Sequence, residues 1–103
     1  MKHVLIKYRV KAEENEALVR AVYGELHLSE PAGLRYATFK LEDGVSFVHI
    51  AETPDAENPL SEVSAFKRFQ ANVRDRCDEP PVATELTEVG SYRLFGESAS
   101  AQT

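Results

Sequence analysis

GLRYATFKLEDGVSFVHIAE, residues 33–52, reads as two alternating strands hinged on Asp43-Gly44. Asp-Gly between alternating runs signals a hairpin with a two-residue type I′ turn, which requires positive φ at both central positions. Counting outward pairs Lys40 with Phe47, Thr38 with His49 and Tyr36 with Ala51 on one face. Leu41 with Ser46, Phe39 with Val48, Ala37 with Ile50 and Arg35 with Glu52 share the other. The second face is apolar. The first, with Leu34, Tyr36, Thr38, Phe47 and His49, is too apolar for plain surface and too polar for plain core.

Lys2–Val10 alternates with Val4, Ile6, Tyr8 and Val10 on one side and His3, Leu5, Lys7 and Arg9 on the other, which predicts a first strand. From Glu13 to about Leu28, Leu18, Val19, Val22, Tyr23 and Leu26 recur at helical spacing, and Ser29-Glu30-Pro31-Ala32-Gly33 ends that helix. Asn58-Pro59 supplies an N-cap and first position for a second helix, whose buried stripe is Phe66, Phe69, Val73 and Cys77. Asp78-Glu79-Pro80-Pro81 stops it. Val82–Phe95 reads as the last strand, irregular around Gly90, and Gly96–Thr103 carries too little apolar surface to fold.

The order β-α-β-β-α-β is that of the ferredoxin-like α+β fold, one four-stranded antiparallel sheet with two helices on one face. The apolar hairpin face, with Ala37, Phe39, Leu41, Val48 and Ile50, is expected under the helices beside Val4, Ile6, Tyr8 and Val10. Tyr36, Thr38, Phe47 and His49 then fall on the open face with Lys7 and Arg9. Leu5, Leu34, Leu86 and those aromatics leave a patch of several hundred Å², close to what a soluble monomer tolerates. A second copy of the chain is the simplest cover.

The 103 residues suffice for one core, a single domain over residues 1–95. A formal charge of −5 argues against nucleic-acid and anionic-membrane partners. Nor does any stretch approach a membrane span. Cys77 has no partner for an internal disulfide, and the apolar run Val4–Ile6 is too short for a signal peptide, so a cytoplasmic location is expected.

Strand one ending in Arg9-Val10-Lys11, Gly33-Leu34-Arg35-Tyr36 opening strand two, the short hairpin into Ser46-Phe47-Val48, Glu52 closing strand three and Ala65-Phe66 opening the second helix together carry a resemblance. Over residues 1–95 the chain resembles the antibiotic biosynthesis monooxygenase-like group of dimeric α+β barrels. The resemblance implies a homodimer packed through the open sheet faces and a cavity beside each sheet. Some members oxidise polycyclic phenols without a cofactor, some degrade haem, and many have no known activity. The group's tryptophan after the strand-three glutamate is missing, since Thr53-Pro54 follows Glu52. Leu60–Cys77 holds no histidine of the kind the haem-degrading branch uses, so no haem or other cofactor is expected. The quinone-forming members imply a cavity with tyrosine, arginine and asparagine-type donors, and Tyr36, Arg9 and His49 stand for these by position.

His49, on a central strand between Phe47 and Ala51, is the leading titratable residue. Partial burial would keep it neutral, and a base beside Tyr36 would take the proton of a phenolic substrate to give the electron-rich anion that reacts with oxygen. Alternatively, it is a histidine hydrogen-bonded across the dimer interface. Tyr36, Lys7 and Arg9 would hold an anionic or phenolic ligand, with Thr38 and Phe47 beside them, or else bridge to glutamates such as Glu85 and Glu88 of a second copy. Tyr92 either closes the cavity mouth or packs in the last strand. Cys77, at a helix C-terminus beside Asp78-Glu79, is expected to be structural.

His3, His27 and His49 fall on different elements without metal-ligand spacing, so no metal is expected. Glu13-Glu14-Glu16 complements the first helix dipole. Gly44–Ile50 is faintly similar to the strand-three signature of RNA-recognition modules, a reading that the acidic charge opposes. Two functions stay open: an enzyme acting on a small aromatic or phenolic compound, and a non-catalytic dimeric module that binds a small ligand or assembles.

Overall fold

Arg35–Lys40 (β2) and Ser46–Thr53 (β3) pair in the register counted from the turn, with Lys40 opposite Phe47, Thr38 opposite His49 and Arg35 opposite Glu52. The turn itself is of another kind. Gly44 N–H donates to the Leu41 carbonyl at 3.0 Å, and Leu41 N–H donates to Ser46 at 2.8 Å. Gly44 has φ +79°, while Asp43 has no positive φ. The loop is therefore an ordinary turn centred on Glu42-Asp43 and completed by left-handed Gly44, instead of type I′. Asp43 owes its place to its carboxylate, which accepts from the backbone N–H groups of Val45 and Ser46 and from the Ser46 hydroxyl.

The computed structural model describes residues 1–11, 13–55 and 58–93. Lys2–Val10 (β1) pairs antiparallel with β3 on one side and with Cys77–Leu86 (β4) on the other, so the four-stranded sheet runs β2-β3-β1-β4. Asn15–Ser29 (α1) and Ser64–Ala71 (α2) pack together over one face. The expected βαββαβ order is present. Residues 94–95 and 96–103, assigned to the strand end and the tail, lie outside the described residues.

α1 buries Asn15, Val19 and Val22 and leans Leu18, Tyr23 and Leu26 against the same core. It ends where Glu30 turns left-handed, its N–H returning to the Leu26 carbonyl at 2.8 Å. Asn58 caps a short 3-10 turn, Pro59–Glu62, by accepting from Leu60 N–H at 3.0 Å. The N-terminus of α2 is capped from α1, because the Glu25 carboxylate accepts from the backbone N–H groups of Ser64 at 3.0 Å and Ala65 at 2.9 Å.

Three further expectations need correction. The second helix does not run to Cys77: it breaks at Asn72, resumes as one turn over Val73–Arg76 (α3), and gives way to β4 at Cys77. Asp78-Glu79-Pro80-Pro81 accordingly lies inside β4, which starts and ends earlier than the expected Val82–Phe95. Both prolines are tolerated because β4 is an edge strand whose pairing with β1 shifts register between Lys7 and Arg9, where ladder bonds are already interrupted.

The third correction concerns which face the helices cover. Pairing of β1 with β3 sets Tyr8 opposite Phe47, Ile6 opposite His49 and Val4 opposite Ala51. The face bearing Tyr36, Thr38, Phe47 and His49 is thus the helix-covered one, with His49 only 3 % exposed. Ala37, Phe39, Leu41, Val48 and Ile50 follow the opposite face instead. The physical reason is mutual hydrogen bonding: buried polar groups are tolerated when each has a partner. The same placement parts Tyr36 from Lys7 and Arg9, which lie on the open face.

Candidate functional site

Between the sheet and the helices lies a chain of polar side chains sealed in aromatic rings. Asn15, the first residue of α1, donates from Nδ2 to the Tyr8 hydroxyl at 3.0 Å. Tyr8 Oη lies 2.7 Å from His49 Nε2, and on the far side of the ring His49 Nδ1 lies 2.5 Å from Tyr36 Oη and 3.1 Å from Thr38 Oγ1. Tyr23 from α1 closes the end through Thr38, 2.8 Å away. Phe69 of α2 packs its ring centroid 5.5 Å from His49 and 6.1 Å from Tyr8, and Phe47 stacks on Tyr8 at 5.8 Å. No described buried side-chain polar atom lacks a partner.

The donors settle the histidine tautomer. Among the described residues Tyr8 Oη meets the Asn15 amide N–H, a donor, and His49 Nε2, so its own O–H finds an acceptor when Nε2 is the bare nitrogen. The proton then resides on Nδ1 and is donated to Tyr36 or Thr38. Burial drives the imidazole down from 6.5 to about 4, so it is neutral at physiological pH. Burial likewise pushes Tyr8 and Tyr23 up to about 12 and raises Tyr36 further.

Arg76, at the end of α3, reaches the other end of this chain. Its guanidinium, on a residue only 4 % exposed, donates to Asn15 Oδ1 at 3.3 Å and to the Phe69 carbonyl at 2.8 Å, and lies 5.2 Å from the Phe69 ring centroid. Neither partner is a carboxylate. A cleft of about 440 Å³ opens beside Asn15, at the end of the sheet that carries the hairpin turn. Its walls include Val10, Lys11, Glu13, Lys40 and Phe47. Lys40 is held at this rim by Glu16, 2.8 Å away.

The expected site residues are therefore divided. His49, Tyr36, Thr38 and Phe47 come together, but in the core, with Phe47 alone of them reaching the cleft wall. Arg9 lies on the open face and pairs with Asp78 at 3.1 Å and Glu79 at 3.2 Å of the adjacent strand. Lys7 is exposed beside it, and Tyr92, 81 % exposed, packs under the Arg93 guanidinium past the end of β4. Cys77 is a buried strand residue whose thiol is raised by burial, in keeping with a structural role.

Asn15, Tyr8 and Arg76 were missed from sequence. Asn15 sits in an acidic first turn that reads as solvated, and Tyr8 looks like one more apolar position of β1. The available signal was an asparagine at a helix start, where its side chain was free to turn inward. Among the described residues, no helix is long and apolar enough to cross a membrane.

No protein-family model matches the chain, and no curated protein matches it by sequence. Solved structures do match. An antibiotic biosynthesis monooxygenase superposes with TM-score 0.63 at 23 % identity, covering 87 % of this chain and 100 % of its own. SnoaB, a cofactor-independent oxygenase from Streptomyces nogalater, gives TM-score 0.63 at 16 % identity, covering 87 % of this chain and 94 % of its own. A monooxygenase from the gene ActVA-Orf6 of Streptomyces coelicolor, solved with nanaomycin D, gives 0.55 at 18 %, covering 88 % and 89 %. At these identities the likeness establishes architecture, and the chain has the ferredoxin-like α+β fold of the antibiotic biosynthesis monooxygenases.

Proposed function

We propose that the chain binds a small phenolic compound as its anion and oxidises it with molecular oxygen, without a bound cofactor. The observation that carries this reading is the buried Arg76 guanidinium, which among the described residues hydrogen-bonds to neutral partners, one of them the cleft-lining Asn15. A cation buried without a carboxylate raises the local potential, which favours the ionised form of a phenol entering the cleft. The phenolate is the electron-rich species that oxygen attacks. One oxygen atom joins the ring and the other leaves as water with two hydrogens of the phenol, giving a quinone.

In this reading Asn15 meets the substrate oxygen, Arg76 supplies charge from behind, and Phe47 and Val10 offer apolar wall. Tyr8, His49 and Tyr36 are positioning residues: they hold Asn15 by the chain of hydrogen bonds that ends on it. Similarity in fold to a cofactor-independent oxygenase supports the chemistry. The second reading, a ligand-binding module without turnover, is favoured by one observation, that both ring nitrogens of His49 are already engaged by the protein's own hydroxyls.

A homodimer through the open sheet face belongs to the same proposal. Leu5, Ala37, Val48, Ile50 and Val82 share that face, and Val82 is 64 % exposed. Covering them with a second copy removes the apolar patch from water.

The test uses 1-naphthol and dissolved oxygen, following oxygen uptake and quinone absorbance, with binding measured separately under nitrogen. The wild type should bind and consume oxygen, Arg76→Met should lose about ten-fold in binding, and Arg76→Lys should retain most of it. Binding without oxygen uptake would favour the ligand-binding module. Equal binding by wild type and Arg76→Met would remove the basis of the phenolate reading.

A further inference from the structure

At the opposite end of the sheet from the cleft, and on its other face, three donor atoms converge. His3 near the start of β1 pairs with Glu52 near the end of β3, and Leu86 at the end of β4 also stands opposite His3. Glu88, two positions beyond Leu86, brings its carboxylate back toward the same imidazole. His3 Nε2 is 2.7 Å from Glu52 Oε2 and 3.7 Å from Glu88 Oε1, and the three donors lie within 4.8 Å of one another. Arg35, opposite Glu52 in the ladder, is exposed, and the Glu52 carboxylate is taken up by His3.

We propose that His3, Glu52 and Glu88 form a divalent transition-metal site suited to Zn²⁺, with a fourth position open to solvent. Geometry supports it first. With bonds of about 2.0–2.1 Å, tetrahedral zinc holds its donors about 3.3 Å apart. The observed 2.7 and 3.7 Å bracket that spacing, and Glu88, half exposed at 51 %, has freedom to adjust.

Charge supports it independently. A single ion pair would need one carboxylate, whereas here two converge on one nitrogen and repel each other. The two carboxylates bring two negative charges to one place, which one divalent cation neutralises. Imidazole with carboxylates is a donor set that zinc accepts. The donors come from three separate strands or their extensions, so the ion would tie β1, β3 and the segment after β4 together.

The experiment titrates untagged, chelator-treated protein with zinc chloride by calorimetry at pH 7.5 and records the visible spectrum with cobalt(II) as a substitute ion. The expected result is one zinc per chain at micromolar affinity, a rise in Tm of about 5–10 °C at saturating zinc, and tetrahedral cobalt bands of high intensity. His3→Gln and Glu52→Gln should each weaken binding at least ten-fold with unchanged far-ultraviolet circular dichroism, Glu88→Gln should weaken it less, and His27→Gln should leave it unchanged. Absence of binding at 0.1 mM zinc, or undiminished binding by the His3→Gln, Glu52→Gln double variant, would overturn the proposal.

Discussion

The Tyr8 hydroxyl and His49 Nε2 stand 2.7 Å apart in a core where Tyr8 is 2 % exposed. Each satisfies a group that would otherwise be buried without a partner. Removing the hydroxyl in Tyr8→Phe strands both His49 Nε2 and Asn15 Nδ2, which costs about 1–3 kcal/mol of stability. Tyr23→Phe removes a bond in the half-buried part of the chain and should cost less, about 1 kcal/mol. Urea denaturation of the two variants checks the order. A Tyr8→Phe protein as stable as wild type would mean that the bond contributes nothing net.

The same burial makes stability depend on pH in a defined window. His49 titrates near 6.5 when unfolded and near 4 when folded, so between these values the unfolded chain binds a proton that the folded chain does not. Stability must therefore fall as pH drops from about 6.5 toward 4, by on the order of 3 kcal/mol in total. His49→Gln, which keeps polar atoms but cannot titrate, should flatten that part of the profile. Denaturant midpoints at half-unit pH intervals would reveal it, and a wild-type curve flat across the window would contradict the assignment.

The hairpin shows how far sequence reasoning reached and where it stopped. Alternation and the turn residues placed every β2–β3 pair in register, because backbone pairing depends on spacing alone. Polarity weighed residue by residue points to the wrong covered face. Tyr36, Thr38 and His49 look unsuited to a core singly, yet together with Tyr8 and Tyr23 they satisfy one another. That partnership spans β1, α1, β2 and β3 and has no local sequence signature. The Pro80-Pro81 pair failed for a related reason: it reads as a stop, but on an irregular edge strand a proline removes no needed bond. Arg76 joined the site only because the second helix broke at Asn72, which apolar spacing did not signal.

Two glycines should respond in opposite directions to alanine. Gly33 has φ +78°, and a Cβ there would lie 2.8 Å from Cγ of the Pro54 ring, a contact that backbone or ring must move to relieve. Gly33→Ala should destabilise by more than about 1 kcal/mol. Gly24, inside α1 with open space around it, has neither problem. Gly24→Ala should stabilise by about 0.5–1 kcal/mol by restricting the unfolded chain. Thermal melts of both variants are sufficient, and a stabilised Gly33→Ala would show that the Pro54 contact yields freely.

Glu25 provides the last test, because one carboxylate joins the two long helices. It accepts from the backbone N–H groups of Ser64 and Ala65 and from the Ser64 hydroxyl, so α2 begins only where α1 meets it. Those backbone donors hold the carboxyl below its ordinary value of 4.5. Its contribution is present above the unfolded value and is lost as pH falls through the lower folded one, a window below that of His49. Glu25→Gln keeps an acceptor but removes the charge that favours a helix N-terminus. The variant should melt at lower temperature than wild type at pH 7, and the gap should narrow as pH falls below the ordinary value of 4.5. A gap that does not narrow at all as pH is lowered below 4.5 would assign the loss to packing instead of charge.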